Sequence, residues 1–171
     1  AKKRAFDHAA EILDVESRRL QANSFVLKID DESFEKFNDD FPYIETPDQL
    51  TAIDSIRNDI KLIKPMNRVL CGDVGFGKTE VAMRSSYISV FSNKQVVIVT
   101  PSTVLCDQHN NSFLKRFENF PVSITKLNRH TGAKEKQKII DGFKNKKIDI
   151  LITTHIAFNN NLDFSNVGLL I

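Results

Sequence analysis

From residue 68 onward, short apolar runs alternate with longer segments of helical periodicity. The runs at 95–100, 122–127, 148–152 and 167–171 predict strands, and Arg68-Val69-Leu70-Cys71 predicts a further short buried strand. The run at 95–100 is apolar on both faces, which is typical of a parallel sheet covered by helices. Strands that alternate with helices predict an α/β fold with right-handed crossovers.

Three helices are predicted before residue 65. Helical spacing of apolar residues predicts an amphipathic linker helix over residues 1–22, with a DNA-binding arm as the alternative. Residues 25–40 are acidic, and we interpret them as a short helix with Phe34 and Phe37 inward rather than as a metal site. Thr46-Pro47-Asp48-Gln49 predicts a capping box that opens a third helix. The predicted buried face of that helix consists of Leu50, Ile53, Ile56 and Ile60.

Further helices are predicted after the strands. One begins near Glu80, and a basic amphipathic helix spans 133–145 with Ile139, Ile140 and Phe143 inward. Another starts at Pro101-Ser102-Thr103. Its predicted inward residues are Val104, Leu105, Phe113 and Phe117.

The segment 72–79 carries the clearest chemical signal, because it matches the P-loop pattern G-x-x-x-x-G-K-[ST] without a mismatch. A predicted strand before it and a predicted helix after it would place backbone N–H groups and a helix N-terminus around a phosphate. We expect Lys78 to reach the β- and γ-phosphates and the Thr79 hydroxyl to ligate Mg²⁺. The alternative is an accidental glycine-rich turn, which the complete motif and its context argue against.

Composition narrows the class of protein. The chain has 171 residues, which suits one domain, and its net charge of +2 does not indicate a nucleic-acid binder, so any basic surface must be local. Cys71 and Cys106 lie in apolar segments, and we expect both to be buried and reduced. Without a signal peptide or an apolar run of about 18–20 residues, we expect a cytoplasmic protein with no membrane contact. A start without Met and a stop inside an apolar run suggest a piece of a longer chain.

Small, hydroxylic and basic residues follow three of the predicted strands. These ends are 100–103, 129–132 and 153–155. Because ligands gather at the carboxyl ends of strands in open α/β sheets, three such ends beside a P-loop indicate a path for a polyanion. Helix capping is an equally simple explanation for any one of them alone.

These features resemble the first RecA-like motor domain of superfamily 2 helicases. Within that group the chain resembles the bacterial transcription-repair coupling factors closely, with the RecG-type helicases next. The resemblance rests on residues 41–49, 68–84, 100–109, 133–135 and 147–155. It implies a P-loop NTPase sheet flanked by helices. Residues 41–171 would form the N-terminal part of the ATP-binding domain, and residues 1–40 would form a preceding linker helix and a short acidic helix.

The resemblance also implies site residues for ATP, Mg²⁺ and DNA. Gln49 matches the glutamine that reads the adenine edge, Phe41 would line that pocket, and Lys78 and Thr79 carry the catalytic roles, with Thr79 on the metal. The full implied nucleotide set is Phe41, Gln49, Gly72, Asp73, Val74, Gly75, Phe76, Gly77, Lys78, Thr79 and Glu80. The implied contacts to DNA backbone phosphates are Pro101, Ser102, Thr103, Gln108, Arg129, Thr153, Thr154 and His155.

The implied activity of the parent protein is ATP-driven movement on double-stranded DNA. In the coupling factors this movement removes stalled RNA polymerase and recruits excision-repair proteins. A RecG-type branch-migration helicase is one alternative, and a non-catalytic interaction fragment with a vestigial nucleotide site is another.

One departure from the family bears on catalysis. The fifth strand of the family runs into an Asp-Glu-Glu-His box, which this sequence does not contain, and it also lacks a second RecA-like domain. We therefore expect this chain to bind nucleotide weakly at most and not to hydrolyse it. Uncovered strand edges and apolar faces are further expected to cause self-association.

Overall fold

A computed structural model describes residues 2–159 and 162–171. In chain order its elements are α1 (Lys2–Gln21), α2 (Asp31–Asp39), α3 (Pro47–Asp59), α4 (Lys78–Phe91), β1 (Gln95–Thr100), α5 (Thr103–Arg116), β2 (Ile124–Leu127), α6 (Ala133–Lys144), β3 (Ile150–Thr154), a short 3₁₀ helix (His155–Asn159) and β4 (Val167–Leu170).

The four strands form one parallel sheet in the order β2-β3-β1-β4. The predicted α/β architecture is therefore confirmed. β1 lies inside the sheet, where Val97 is paired with Leu151 of β3 and with Leu170 of β4. Parallel strands joined by helical crossovers bring their carboxyl ends to one edge, so the segments after β1, β2 and β3 meet there.

Alternate residues of the strands point to opposite faces of the sheet and pack in two separate hydrophobic cores. On one face, Val96 and Ile152 pack in a cluster with residues of α2, α3, α4 and α5, and Phe37, Tyr87 and Phe117 form an aromatic group within it. On the other face, Val97 and Leu151 pack with residues of α6 and the 3₁₀ helix. Both faces of the sheet are covered, which accounts for strands that are apolar on both sides.

The predicted N-terminal helices are present, with differences in what they bury. α1 matches the helix predicted over 1–22, although residue 1 lies outside the described part of the chain and Phe6 and Leu13 are exposed. α2 buries Phe34 and Phe37 as predicted, in the same core as the sheet. α3 buries Ile53 but leaves Leu50 exposed, so the prediction for Leu50 was wrong.

Two of the residues predicted to be buried in α5 are exposed. Val104 and Leu105 are both solvent-accessible, whereas Phe113 and Phe117 are buried as expected. Cys106, which follows Leu105 in the sequence, is on the buried face of the helix, and burial raises the pKa of its thiol. Ser102 caps the helix, which packs on the sheet with only one of its sides. Val104 and Leu105 fall on the opposite, solvent-facing side.

The short buried strand predicted at 68–71 is not formed. Val69 is 87% exposed and Cys71 is exposed as well, so the prediction of a buried Cys71 was also wrong. A strand needs a hydrogen-bonded neighbour, and the segment 68–71 pairs with none of the four strands of the described sheet. The segment 64–68 and β4 both line a cavity of 410 Å³.

No helix in the described residues is long and apolar enough to cross a membrane. The acidic residues near α2 also do not gather into a metal site, because no group of three or more His, Cys, Asp or Glu side chains within 2–159 and 162–171 could hold an ion.

Candidate functional site

The P-loop ends in a left-handed turn that starts α4. Gly75 and Gly77 have φ values of 86° and 69°, a region that residues with a Cβ rarely adopt. Gly77 is the N-cap of α4, and a Cβ there would also collide with the side-chain amide nitrogen of Gln49. The glycines therefore allow both the turn and the close approach of α3. The free N–H groups of the first turn of α4 then point out of a helix N-terminus, which favours an anion.

The Lys78 side chain folds back across the loop. Its Nζ donates hydrogen bonds to the backbone carbonyl oxygens of Gly72 and Asp73, each at 2.6 Å. The ammonium group is therefore held against two backbone carbonyl oxygens of the loop itself. Phosphate oxygens are stronger partners for an ammonium than neutral carbonyls, so this geometry suits a phosphate ligand.

Gln49 connects the capping box of α3 to the P-loop. Its Oε1 accepts from the backbone N–H of Thr46 at 2.8 Å, and its own N–H donates to the Thr46 hydroxyl at 3.3 Å, which confirms the predicted capping box. The side-chain Nε2 donates to the backbone carbonyl of Phe76 at 3.0 Å. The residue predicted to read a base thus lies against the loop predicted to bind phosphates.

A cavity of 650 Å³ opens beside this contact. Phe41, Gln49 and Thr79 all line it, together with the P-loop backbone at 75–77. The predicted residues Gly72, Asp73, Val74 and Lys78 do not line this cavity, and Val74 is fully exposed. An aromatic ring, an amide and a helix N-terminus around one space fit a nucleoside triphosphate, and the Thr79 hydroxyl is the group that would ligate Mg²⁺.

Sequence reasoning did not assign five other cavity-lining residues to the nucleotide site. These are Tyr43, Ile44, Thr46, Met83 and Ser112. Tyr43 and Ile44 precede the capping box directly, so proximity to Gln49 was an available signal. Ser112 comes from α5, and no local pattern in the sequence indicates that it lies near the P-loop.

Glu80, which was predicted to contact nucleotide, lines the cavity, and its carboxylate is engaged in ion pairs. It is 6% exposed and accepts from Arg84 Nε at 2.9 Å and from Arg116 Nη2 at 3.0 Å. Arg84 in turn donates to Glu45 at 2.6 Å, and this hydrogen bond lowers the pKa of the Glu45 carboxyl below its usual range. The spacing of Glu80 and Arg84 predicts an i,i+4 pair, but Arg116 carries no signal in the local sequence.

A second cavity, of 340 Å³, lies at the carboxyl edge of the sheet. Six of the eight residues predicted to contact DNA line it together. They are Pro101, Ser102, Thr103, Arg129, Thr154 and His155. The fold therefore brings three separate segments of the chain to one place, as the strand ends predicted.

The remaining two predicted DNA-contact residues lie elsewhere. Thr153 is fully buried, and its hydroxyl donates to the backbone carbonyl of Leu127 at 2.7 Å, so it joins β3 to β2 inside the sheet. Gln108 is exposed on α5, outside the second cavity. Ser102 has a structural role as well, because its hydroxyl accepts from the Leu105 N–H as the N-cap of α5.

The chain is similar both to a known protein family and to individual proteins that share one name. The model of the DEAD/DEAH box helicase family matches residues 46–171. The transcription-repair-coupling factor of Haemophilus influenzae is 44% identical over 165 residues, and that of Borreliella burgdorferi is 43% identical over 171 residues. These matches cover 96% and 100% of this chain but only 14% and 15% of the two relatives.

A solved structure shows the same fold. The structure of RecG bound to a three-way DNA junction superposes with a TM-score of 0.86 at 33% identity, over 92% of this chain and 22% of that one. This likeness confirms the predicted RecA-like sheet flanked by helices. The curated relatives are more similar in sequence, at 38–44% identity, and all of those compared carry the name transcription-repair-coupling factor.

Proposed function

The chain belongs to the DEAD/DEAH box helicase family, and on that basis we propose that it supplies the ATP-binding part of an ATP-dependent DNA translocase. One observation carries the proposal. The P-loop, the Gln49 amide and the Phe41 ring lie around a single cavity of 650 Å³. Phosphate and base sites next to each other are what a nucleoside triphosphate requires. The Thr79 hydroxyl and Lys78 are the proposed contacts to Mg²⁺ and to the phosphates.

DNA is the proposed polymer on which the parent protein acts. The polar and basic groups of the second cavity, with Arg129 and His155 exposed, suit contacts to backbone phosphates. Such contacts do not depend on base sequence and weaken with salt. A bound DNA junction in the RecG structure, whose fold matches this chain, supports the same assignment.

For the whole protein we propose a transcription-repair coupling factor that displaces stalled RNA polymerase and recruits excision repair through other parts of its chain. The names and identities of the curated relatives favour this assignment over a RecG-type helicase, which matches at 33% identity. The chain spans 14–21% of the relatives that it matches, so release of a stalled polymerase must be measured on the full-length protein. Unwinding of a DNA junction without polymerase release would favour the RecG-type alternative.

We propose that the 171-residue chain alone binds ATP without turning it over. The chain spans only 14–21% of the relatives that it matches, and an arginine finger supplied from elsewhere in a motor protein can contribute about 10³–10⁵ in rate. A malachite-green assay of this chain with and without duplex DNA is expected to give the background rate. DNA-stimulated release of phosphate would contradict this part of the proposal.

Calorimetric titration of this chain with Mg²⁺-ATP tests the nucleotide site. Lys78→Ala is expected to weaken binding at least about tenfold, because it removes the only side-chain cation placed on the P-loop motif itself. The matched control is Lys115→Ala, which removes an exposed lysine at the end of α5 and should bind like the wild type. Absence of ATP binding by the wild type would instead favour a non-catalytic interaction module.

A further inference from the structure

Four side chains of alternating charge connect the segment before α3 with the helices α4 and α5. Glu45, Arg84, Glu80 and Arg116 form a continuous series of ion pairs with N···O distances of 2.6, 2.9 and 3.0 Å. The side chains of Arg84, Glu80 and Arg116 are 3–8% exposed, and that of Glu45 is 24% exposed. The series is therefore closed to solvent at every member except Glu45.

This series connects two parts of the site that are distant in sequence. Glu80 directly follows Thr79, and Arg84 lies one turn further along α4. Glu45 directly precedes Thr46, the N-cap residue whose box includes Gln49. The bond between Arg84 and Glu45 therefore fixes the start of α3 and the residues before it relative to the P-loop helix.

The same guanidinium groups hold the aromatic wall of the cavity. The Arg84 guanidinium carbon lies 5.3 Å from the centre of the Phe41 ring, and that of Arg116 lies 5.8 Å from it. The Tyr43 ring meets the Phe41 ring edge to face, with 5.5 Å between centres. Cation–π and aromatic contacts of this kind add to the ion pair in holding the two rings in place.

A buried series of ion pairs needs a reason other than stability. Apolar residues of similar volume often stabilise a protein as well as a buried ion pair does, because charges are costly to remove from water. Ion pairs do, however, restrict geometry, since each guanidinium must face its carboxylate. The pairs around Arg84 leave the segment 41–46 few alternative positions.

We propose that Glu45 and Arg84 are positioning residues for the nucleotide base. They hold the segment 41–46 so that Phe41, Tyr43 and Gln49 form a preformed wall for the purine, while the P-loop binds the phosphates independently. This inference rests on the proposed binding of ATP. It predicts that loss of the Arg84–Glu45 bond weakens recognition of the base and leaves recognition of the phosphates intact.

The test compares two ligands that share their phosphates. Mg²⁺-ATP and Mg²⁺-tripolyphosphate are titrated into the 171-residue chain by calorimetry, and the ratio of the two dissociation constants is the readout. Glu45→Ala is expected to weaken ATP binding about tenfold, the scale of one lost base–aromatic contact, and to leave tripolyphosphate binding unchanged. Glu45 is the partly exposed end of the series, so Arg84 keeps Glu80 as its partner in this variant and the fold should persist.

Two further variants separate positioning from damage to the fold. Glu45→Gln keeps an oxygen that accepts from Arg84 and is expected to recover most of the ATP affinity. Glu118→Ala removes an exposed carboxylate just after α5 and is expected to match the wild type with both ligands. An equal loss of ATP and tripolyphosphate affinity in Glu45→Ala, or no loss of either, would overturn the inference. A wild type that binds neither ligand would instead refute the proposed ATP site itself, and this inference with it.

Discussion

Gln49 donates a hydrogen bond from Nε2 to the backbone carbonyl of Phe76, 3.0 Å away, and thereby joins the start of α3 to the P-loop. Its Oε1 at the same time accepts from the Thr46 N–H. A side-chain amide has two donor hydrogens and two acceptor lone pairs, so each end of Gln49 keeps one hydrogen-bonding position. One orientation of the amide is thus compatible with capping α3, contacting the P-loop and reading the edge of a base.

Substitutions of Gln49 separate its structural role from its proposed role in binding. Gln49→Glu keeps an acceptor for the Thr46 N–H, so we expect a small change in the free energy of unfolding, but it removes the donor to Phe76 and should weaken ATP binding about tenfold. Gln49→Ala removes both and should also destabilise the protein by about 1 kcal/mol. Chemical denaturation and ATP titration measure the two effects. Unchanged ATP affinity in Gln49→Glu would exclude Nε2 from base recognition.

Arg129 and Thr153 should affect different properties, although both were predicted to contact DNA. Arg129 is exposed at the second cavity, so Arg129→Ala is expected to weaken binding to duplex DNA of any sequence and to reduce the salt slope by about one. Thr153→Val removes a buried hydroxyl bonded to Leu127 and should cost about 1–2 kcal/mol of stability without changing that slope. Fluorescence anisotropy at several salt concentrations distinguishes them. A change of salt slope in Thr153→Val would contradict this assignment.

The core beneath α6 depends on Phe143, which is fully buried. Phe143→Ala should reduce the free energy of unfolding by about 3–5 kcal/mol, because it removes apolar contacts and leaves a cavity. Val104→Ala is the control, since Val104 is 64% exposed and its truncation should cost less than about 0.5 kcal/mol. Urea denaturation of the three proteins measures both values, and a large loss in Val104→Ala would show that α5 has a partner on its outer face.

Glu45 should make stability depend on pH. Its hydrogen bond with Arg84 lowers its pKa in the folded state relative to the usual 4.5, so the unfolded state takes up a proton first as the pH falls. The stabilisation is therefore present above about pH 4.5 and is lost as the pH falls through the lowered folded value. The difference in unfolding free energy between the wild type and Glu45→Gln should be constant near pH 7 and decrease below pH 4.5. A difference that does not change with pH would rule out this contribution.

Exposed apolar surface should make the chain self-associate. β4 is an outer strand of the described sheet, its last residue Leu170 is 55% exposed, and the apolar residues of α1 are largely uncovered. Light scattering after size exclusion should show mass rising with protein concentration. Leu170→Lys, which places a charge at this edge, should reduce that rise. A monomer at all concentrations would contradict the expectation.

Local signals account for much of what could be predicted. The capping box at Thr46 and Gln49 is confirmed because its hydrogen bonds join residues three apart in the sequence. The strand β1 is confirmed because an apolar run of this length has few other stable environments than a covered sheet. The P-loop motif is local in the same sense, since the left-handed glycines and the helix start lie within a few residues of one another.

Prediction failed where the outcome depended on a distant partner. The run at 68–71 has the composition of a strand but no paired neighbour, and Val104 and Leu105 are apolar but lie on the exposed side of α5. The sequence by itself thus determined the α/β class, the phosphate loop and the cap of α3, through periodicity and short-range hydrogen bonds. Only the tertiary structure decided that Glu80 is held by Arg116 and that Ser112 lies beside the P-loop cavity, because those contacts join residues that are far apart along the chain.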